Sequence, residues 1–320
     1  MEDSVHCVII IGMDDMVATP ETGSSCATRY PLLFVHGVGV RDGVKNRIWG
    51  RIPETLRKQG AQVYFGEHDA WGTPWNNAVQ LLERLPAILA KSGSTKINII
   101  AHSKGGVDAR HLVALLSEGA QDELPIASLT TIATPHHGCY SLEVLLSSLG
   151  LFFIPLSFFV NRVYKMAGDK NPNFFGVCKY LTASNMNVFN AMQPELSPVY
   201  SQQFAGCMQG FLDDPFTFVS YLFVSHFEGP NDGLIALSSA SYDHFRGECC
   251  TATGRGVSHD QLIDLARKPF AARSPRGASQ RISKKRSIES EGLPEGVLLE
   301  CEDILEFYLA LVADLKARGY

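Results

Sequence analysis

A serine hydroxyl attacks a carbonyl only when one group takes its proton and others hold the charge the attack creates. Ser103 stands in a setting built for that. Lys96 to Val107 reads Lys-Ile-Asn-Ile-Ile-Ala-His-Ser-Lys-Gly-Gly-Val. Ile97, Ile99 and Ile100 form a short β-branched run of the kind buried on both faces of a sheet, and it stops abruptly at the serine. Val107, Leu112, Leu115 and Leu116 then recur at helical spacing,. So sharp a strand-to-helix turn strains the serine backbone and requires small residues two positions before and after it, here Ala101 and Gly105. The turn lifts the hydroxyl above the sheet edge and points the first helical amides at whatever binds it.

The base is sought among ten histidines. His102 flanks the serine and is expected to point away from it, and His36 reads as a structural hydrogen-bonder. His136 and His137 follow a strand end but precede any suitable acid. His259 arrives last, in the order Ser, Asp, His, within a loop leading to a helix. For the acid, Asp213, Asp214, Asp243, Asp260 and Asp264 compete with Asp232. Asp232 lies in Gly229-Pro-Asn-Asp-Gly, after an expected buried strand over residues 217–225, where a carboxylate can accept the Nδ1 proton of a histidine,. Two backbone amides, Lys104 from the turn and Val38 from the early His36-Gly-Val-Gly loop, are the expected oxyanion donors.

The elements that must hold these residues alternate strand and helix, which gives a mostly parallel sheet covered on both faces, with sites at the carboxyl ends of its strands. Strands are expected at Pro31 to Val35, Gln62 to Phe65, Ile97 to Ala101 and Ile126 to Ala133. Helices are expected at about Asn46 to Lys58, cut short by Pro53, and from Val79 to Leu89, disturbed by Pro86. Residues 1–29 read as an irregular leader, 30–266 as the catalytic domain, 267–298 as a basic low-complexity insertion that is solvated and disordered, and 299–320 as a C-terminal helix packing on that domain. Residues 140–200 break the rhythm. Leu145 to Val160 is almost wholly apolar, too short and too proline-interrupted for a membrane span, and reads either as a buried helix pair or, preferred here because an insertion at the strand ends sits above the site, as a mobile cover lining an acyl-chain pocket and meeting a lipid interface.

Composition is that of a globular protein, with 45% hydrophobic and 19% charged residues,. The net charge of −5 argues against a general nucleic-acid binder,. Eight cysteines contain no C-x-x-C pair and so suggest no zinc site of that type,. The start of the chain shows no secretory core, because Glu2 and Asp3 precede a short apolar run, Val8 to Ile11,.

Phe34-Val-His-Gly-Val-Gly, Ala101-His-Ser-Lys-Gly-Gly, Thr134-Pro-His-His-Gly, Asn231-Asp-Gly-Leu-Ile and Val257-Ser-His, in this order, resemble the bacterial triacylglycerol lipase family of the α/β-hydrolase fold,. The resemblance spans roughly Tyr30 to Leu265, and Leu181 to Pro194 is similar to the segment after the lid in such lipases. It implies an α/β-hydrolase fold with a helical lid insertion, Ser103 as nucleophile, Asp232 as acid, His259 as base, and the Val38 and Lys104 amides as oxyanion hole. The implied activity is hydrolysis of esters or acylglycerols, with transient lipid-interface contact, in a family that is typically secreted. Acyl transfer on the same residues and a catalytically silent lipid-surface protein are the alternatives. No cofactor is expected. Many such lipases bind a structural calcium through an aspartate two residues after the base, and Gln261 stands there, a weaker ligand.

Overall fold

Leu32–Val35, Ile97–His102 and Ile126–Ile132 are buried at every position, as strands in the middle of a two-sided parallel sheet must be,. The computed structural model describes residues 24–42, 47–119, 124–193, 199–251, 255–270 and 297–320. In chain order these form β1 (Leu32–Val35), α1 (Ile52–Lys58), β2 (Val63–Phe65), α2 (Pro74–Ser92), β3 (Ile97–His102), α3 (Lys104–Gly119) and β4 (Ile126–Ile132). There follow α4 (Tyr140–Met166), α5 (Phe174–Tyr180), α6 (Ala183–Met192), β5 (Tyr200–Gly206), α7 (Phe218–Glu228), α8 (Leu237–Ala240), β6 (Phe245–Thr251), β7 (Val297–Cys301) and α9 (Ile304–Ala317). One sheet, ordered β2-β1-β3-β4-β5-β6-β7, carries every strand among the described residues, and each pairing is parallel. The sheet and its flanking helices form the expected α/β-hydrolase fold.

Pro53 leaves a short helix on one side of it, as expected: it lies in the first turn of α1, where its missing N–H has no partner to lose,. Several other local expectations are corrected. Pro86 lies inside α2, which runs through it to a left-handed cap at Gly93 (φ 70°),. Residues 217–225 were expected as a strand because Thr217-Phe-Val-Ser-Tyr-Leu-Phe-Val is β-branched and aromatic, but they enter helix α7. Propensity gives way there to packing, since α7 lies on α4 and Tyr140 meets Phe227 with ring centroids 6.4 Å apart,. The expected helix from Glu300 begins instead as strand β7, and α9 starts after an N-cap at Asp303,. Order does not begin at Tyr30 either. Cys26 is fully buried, its amide bonds Gln59 O at 2.9 Å, and the Arg29 amide bonds Tyr320 O at 2.8 Å. Residues 1–23 and most of the basic stretch, 271–296, lie outside the described residues.

The apolar run at 145–160 belongs to α4, whose backbone leaves helical geometry at Leu149 (φ −123°, ψ 15°), so that two helical segments meet there at a kink; only taken together are its 27 residues long and apolar enough to cross a membrane, by length and composition,. Both ends of α4 are tied to the body. The Ser141 amide bonds Glu228 Oε1 at 2.7 Å, and Tyr164 Oη donates to Gly39 O at 2.7 Å.

On one face of the sheet, α9 buries Phe307, Tyr308, Leu311, Val312 and Leu315 against Phe34, Trp49 and Phe204. Arg51 at the start of α1 forks onto Asp264, at 2.9 and 2.8 Å, and onto Asp303, at 2.7 and 2.9 Å, so one guanidinium joins α1, the loop after residue 259 and the cap of α9,. The C-terminal helix is thus part of the core. Truncating Leu311 to Ala is expected to cost about 2–5 kcal/mol in urea unfolding; a cost below about 0.5 kcal/mol, as for a surface position, would mean that α9 is not docked.

Candidate active site

Ser103 lies between the last residue of β3 and the first of α3 with φ at +56°, a left-handed conformation that a residue with a side chain seldom adopts,. Three hydrogen bonds hold it there: its amide to Ile132 O at 2.9 Å, and its carbonyl from Thr134 Oγ1 at 2.9 Å and from the Gly106 amide at 3.0 Å. The small residue expected after it is required by contact, because a Cβ on Gly105 would stand 2.4 Å from Val35 O and 2.5 Å from His36 O. Below the turn, the Lys104 side chain is fully buried, and its Nζ donates to Asp108 Oδ2 at 2.6 Å, which also accepts from Asn77 Nδ2 at 2.8 Å. This buried pair pins the first turn of α3 and with it the direction of its free amides.

Asp232 and His259 are brought together by a route the sequence did not suggest. Asp232 follows helix α7, not a strand, yet the Met208 amide bonds Asn231 O at 2.8 Å and so returns its loop to the carboxyl end of β5. The Val257 amide bonds Cys207 O at 3.1 Å, which brings the base loop to the same strand end, and the His259 amide bonds Asp232 O at 2.8 Å. The side chains then meet. His259 Nδ1 lies 2.7 Å from Asp232 Oδ2, while Asp232 Oδ1 accepts from the amides of Leu234 at 3.0 Å and Ile235 at 2.7 Å. Because a carboxylate only accepts, Nδ1 carries the proton and Nε2 presents its lone pair. Burial pulls the His259 ring toward the neutral form, but the charge and hydrogen bond of Asp232, with a smaller push from Asp260, outweigh it and raise the pKa above 6.5,.

His102 lies beside this pair. Its ring packs between Trp49, with centroids 6.3 Å apart, and His259, at 4.4 Å. Burial, then the neighbouring His259, hold its pKa well below 6.5, so it supports the base as a neutral wall,. Ser103 is thus joined to the His259–Asp232 pair through its own neighbour. No hydrogen bond links Ser103 Oγ to His259 among the described residues, and such bonds commonly tighten only when substrate binds.

The early loop closes on the serine from the other side, where a Cβ on Gly37 would lie 2.7 Å from Ser103 Cβ. His36 Nδ1 is 2.9 Å from Gly37 O. In a trans peptide the carbonyl and the following N–H point in opposite directions, so this bond turns the Val38 amide away from the His36 ring. Four of the competing acids are engaged elsewhere: Asp264 with Arg51, Asp243 with Ser201 Oγ at 3.2 Å, Asp213 with the Gln209 and Gly210 amides, and Asp214 with Ser258 Oγ at 2.7 Å; the fifth, Asp260, acts on His259 through its charge. His136 is fully buried, 2.8 Å from Thr131 Oγ1 and stacked on Tyr242. Gln261 accepts from the Ser258 amide and donates to Asp213 O, both at 2.9 Å, so its amide cross-links the base loop to the 207–216 loop directly.

A domain family described only as of unknown function, DUF7379, matches residues 13–141. A triacylglycerol lipase of Burkholderia plantarii is 35% identical over 131 residues, 38% of this chain and 35% of that protein. Triacylglycerol lipase 2 of Saccharomyces cerevisiae is 26% identical over 281 residues, 85% of this chain and 74% of that protein. The matches to the first bacterial relatives therefore span about a third of those proteins, 35% of each. Among solved structures, the mature lipase BlEst2 of Bacillus licheniformis superposes with a TM-score of 0.56 at 20% identity, covering 79% of this chain and 91% of that one. A metagenomic carboxyl esterase, MGS0156, gives 0.63 at 13% identity, covering 94% and 79%. The resemblance to bacterial triacylglycerol lipases holds, and so does the fold.

The Asp232 contact is expected to govern the His259 ring. In NMR titration of the ring protons, His259 should titrate above 6.5, and in Asp232→Asn its pKa should fall, because the charge that favours the imidazolium is gone. An unchanged titration would mean that Asp232 does not act on the ring.

Proposed function

We propose that this relative of bacterial triacylglycerol lipases is a carboxylic ester hydrolase that works through an acyl-enzyme on Ser103. The observation that carries the reading is the buried 2.7 Å contact of His259 Nδ1 with Asp232, on a ring packed against the neighbour of a serine held at φ +56°. His259 Nε2 takes the hydroxyl proton as Ser103 Oγ attacks the ester carbonyl, and Asp232 stabilises the imidazolium. The Val38 and Lys104 amides hold the oxyanion. The imidazolium then gives its proton to the departing alcohol. Water repeats the sequence on the acyl-enzyme, releasing the acid and restoring the serine. The chemistry calls for no cofactor, and Gln261 makes by hydrogen bonds the loop connection that a structural calcium would make. If an alcohol replaces water in the second half, the same residues perform acyl transfer.

The substrate reading is an acylglycerol met at a lipid surface. Phe152 and Phe158 on α4 are 72% and 75% exposed, and Phe216 and Val219 beside α7 are 97% and 79% exposed. Such a concentration of exposed apolar residues on two helices in contact suits a hydrocarbon interface,. The Tyr164 bond to Gly39 O ties this helix to the loop that carries Val38, so movement of the cover and the setting of the oxyanion hole are linked,.

Ser103→Ala is expected to lower kcat/KM on p-nitrophenyl esters by at least about 10³-fold, and Asp232→Asn by about 10³- to 10⁴-fold. Since the base acts only when neutral, the acid limb of kcat/KM should lie above pH 6.5, with activity lost as pH falls through the raised pKa,. Wild-type turnover in Ser103→Ala would refute the reading. For the interface, the double variant Phe152→Ser, Phe158→Ser should lose binding to phospholipid vesicles and hydrolysis of emulsified triacylglycerol while keeping turnover of a soluble butyrate ester. Equal loss on both substrates would count against an interfacial role.

A further inference from the structure

Asn231, the residue before Asp232, is fully buried, and both ends of its side-chain amide are engaged. Its Oδ1 accepts from the Gly233 amide at 2.8 Å. Its Nδ2 donates to Ser225 Oγ at 2.8 Å and to Gly229 O at 2.9 Å, while Tyr221 O lies further off, at 3.3 Å. An N–H on one side and carbonyls on the other allow only this orientation of the amide, and Nδ2 has two hydrogens for the two nearer oxygens. Tyr221 and Ser225 belong to α7, and Gly229 caps it. The side chain thus fastens the loop to the helix.

The consequence falls on Asp232. The N–H that Asn231 Oδ1 holds belongs to the planar peptide joining Asp232 to Gly233, so this bond sets the direction in which the Asp232 side chain leaves the backbone,. Gly233 stands at φ +103°, a conformation from which glycine can readily swing, and a Cβ on it would lie 2.9 Å from Thr217 Cβ, at the N-cap of α7,. The turn is therefore seated against both ends of one helix. Held so, Asp232 Oδ1 meets the amides of Leu234 and Ile235, which leaves Oδ2 facing His259 Nδ1 at 2.7 Å.

We propose that Asn231 is the positioning residue of the acid: by gripping Ser225 and the Gly229 cap, it makes helix α7 the support from which the Asp232 carboxylate is aimed at His259. The inference rests on the reading of Asp232 and His259 as acid and base. Loss of the grip loosens the 2.7 Å contact without removing either partner. The ring then loses part of the push that holds its pKa above 6.5, while the other groups that face it, Asp260 in its own loop and His102 at the end of β3, are unchanged,. Helix α7 lies on α4, so the acid is aimed from the pair of helices whose exposed apolar side chains suit a hydrocarbon interface,.

The test follows the His259 ring protons by NMR across pH in the full chain, beside kcat and KM on p-nitrophenyl butyrate. In Asn231→Ala the ring pKa is expected to fall toward 6.5, and the acid limb of kcat/KM should move to lower pH with it,. Turnover should drop about 10- to 100-fold in kcat, as for an ångström-scale misplacement, with KM changed less than about twofold because no substrate contact is lost. Ser225→Ala, which takes one partner from α7 and touches neither acid nor base, should shift both readouts the same way by less. In an Asp232→Asn background, Asn231→Ala should leave the ring pKa where it was, because the residue acts through the carboxylate. An unmoved ring pKa in folded Asn231→Ala, or the same shift with and without the Asp232 carboxylate, would overturn the proposal. If Asn231→Ala does not fold by circular dichroism, Ser225→Ala decides between the same outcomes. The ring titration needs no turnover, so failure of the ester-hydrolase reading in the Ser103→Ala experiment would leave this comparison intact.

Discussion

The structure depends on how closely three backbone segments approach one another around Ser103. The residue is held left-handed at a cost of about 1–2 kcal/mol, and the fold sustains it because the end of β4 bonds both sides of its backbone, Ile132 O accepting from its amide and Thr134 Oγ1 donating to its carbonyl. Gly105 lies against the β1 carbonyls and Gly37 against the serine itself, so neither the helix nor the early loop can withdraw without opening the other. The hydroxyl is therefore fixed by the sheet, not by its own side-chain partners. The proposed base and acid, His259 and Asp232, have only to be delivered to it.

That delivery is made by the end of β5. Backbone bonds from Met208 and to Cys207 bring the acid and base loops to one place, and the His259 amide bond to Asp232 O fixes the two loops to each other before their side chains meet. Arg51 ties the residues just after the base to α1 and α9, so the C-terminal helix also stiffens the site. Around this frame the polar groups are arranged by charge. Asp232 raises the base, while burial keeps His102, His68 and His136 neutral, so one imidazole is favoured as a cation among several that are not,.

The central strands and the turn at Ser103 were legible because burial on both faces demands continuous apolar runs, and a strained turn demands small neighbours. Asp232 and His259 were legible from glycine-rich loops and from their order, and the structure brings them into contact. The strand expected just before the Asp232 loop is helix α7, however, and β5 comes earlier. β5 carries Ser201, Gln202 and Gln203 in its middle, and their polarity hides a strand in which Gln202 Nε2 donates to Thr130 Oγ1 at 3.0 Å and Ser201 Oγ to Asp243 at 3.2 Å, while the buried Gln203 amide has no hydrogen-bond partner among the described residues. In β6, Arg246, Gly247 and Glu248 hide a second strand, and β7 lies behind the basic stretch. The supporting roles of His102 and of the Lys104–Asp108 pair arise from tertiary packing. No local spacing announces them.

The most direct test is covalent. The protein is treated at neutral pH with a fluorophosphonate that carries an alkyl chain, digested, and the modified peptide sequenced by mass spectrometry. The account predicts one adduct per chain, on the Ser103 hydroxyl, formed at a rate that falls as His259 is protonated. An unmodified Ser103, or an adduct on a different serine, would contradict it.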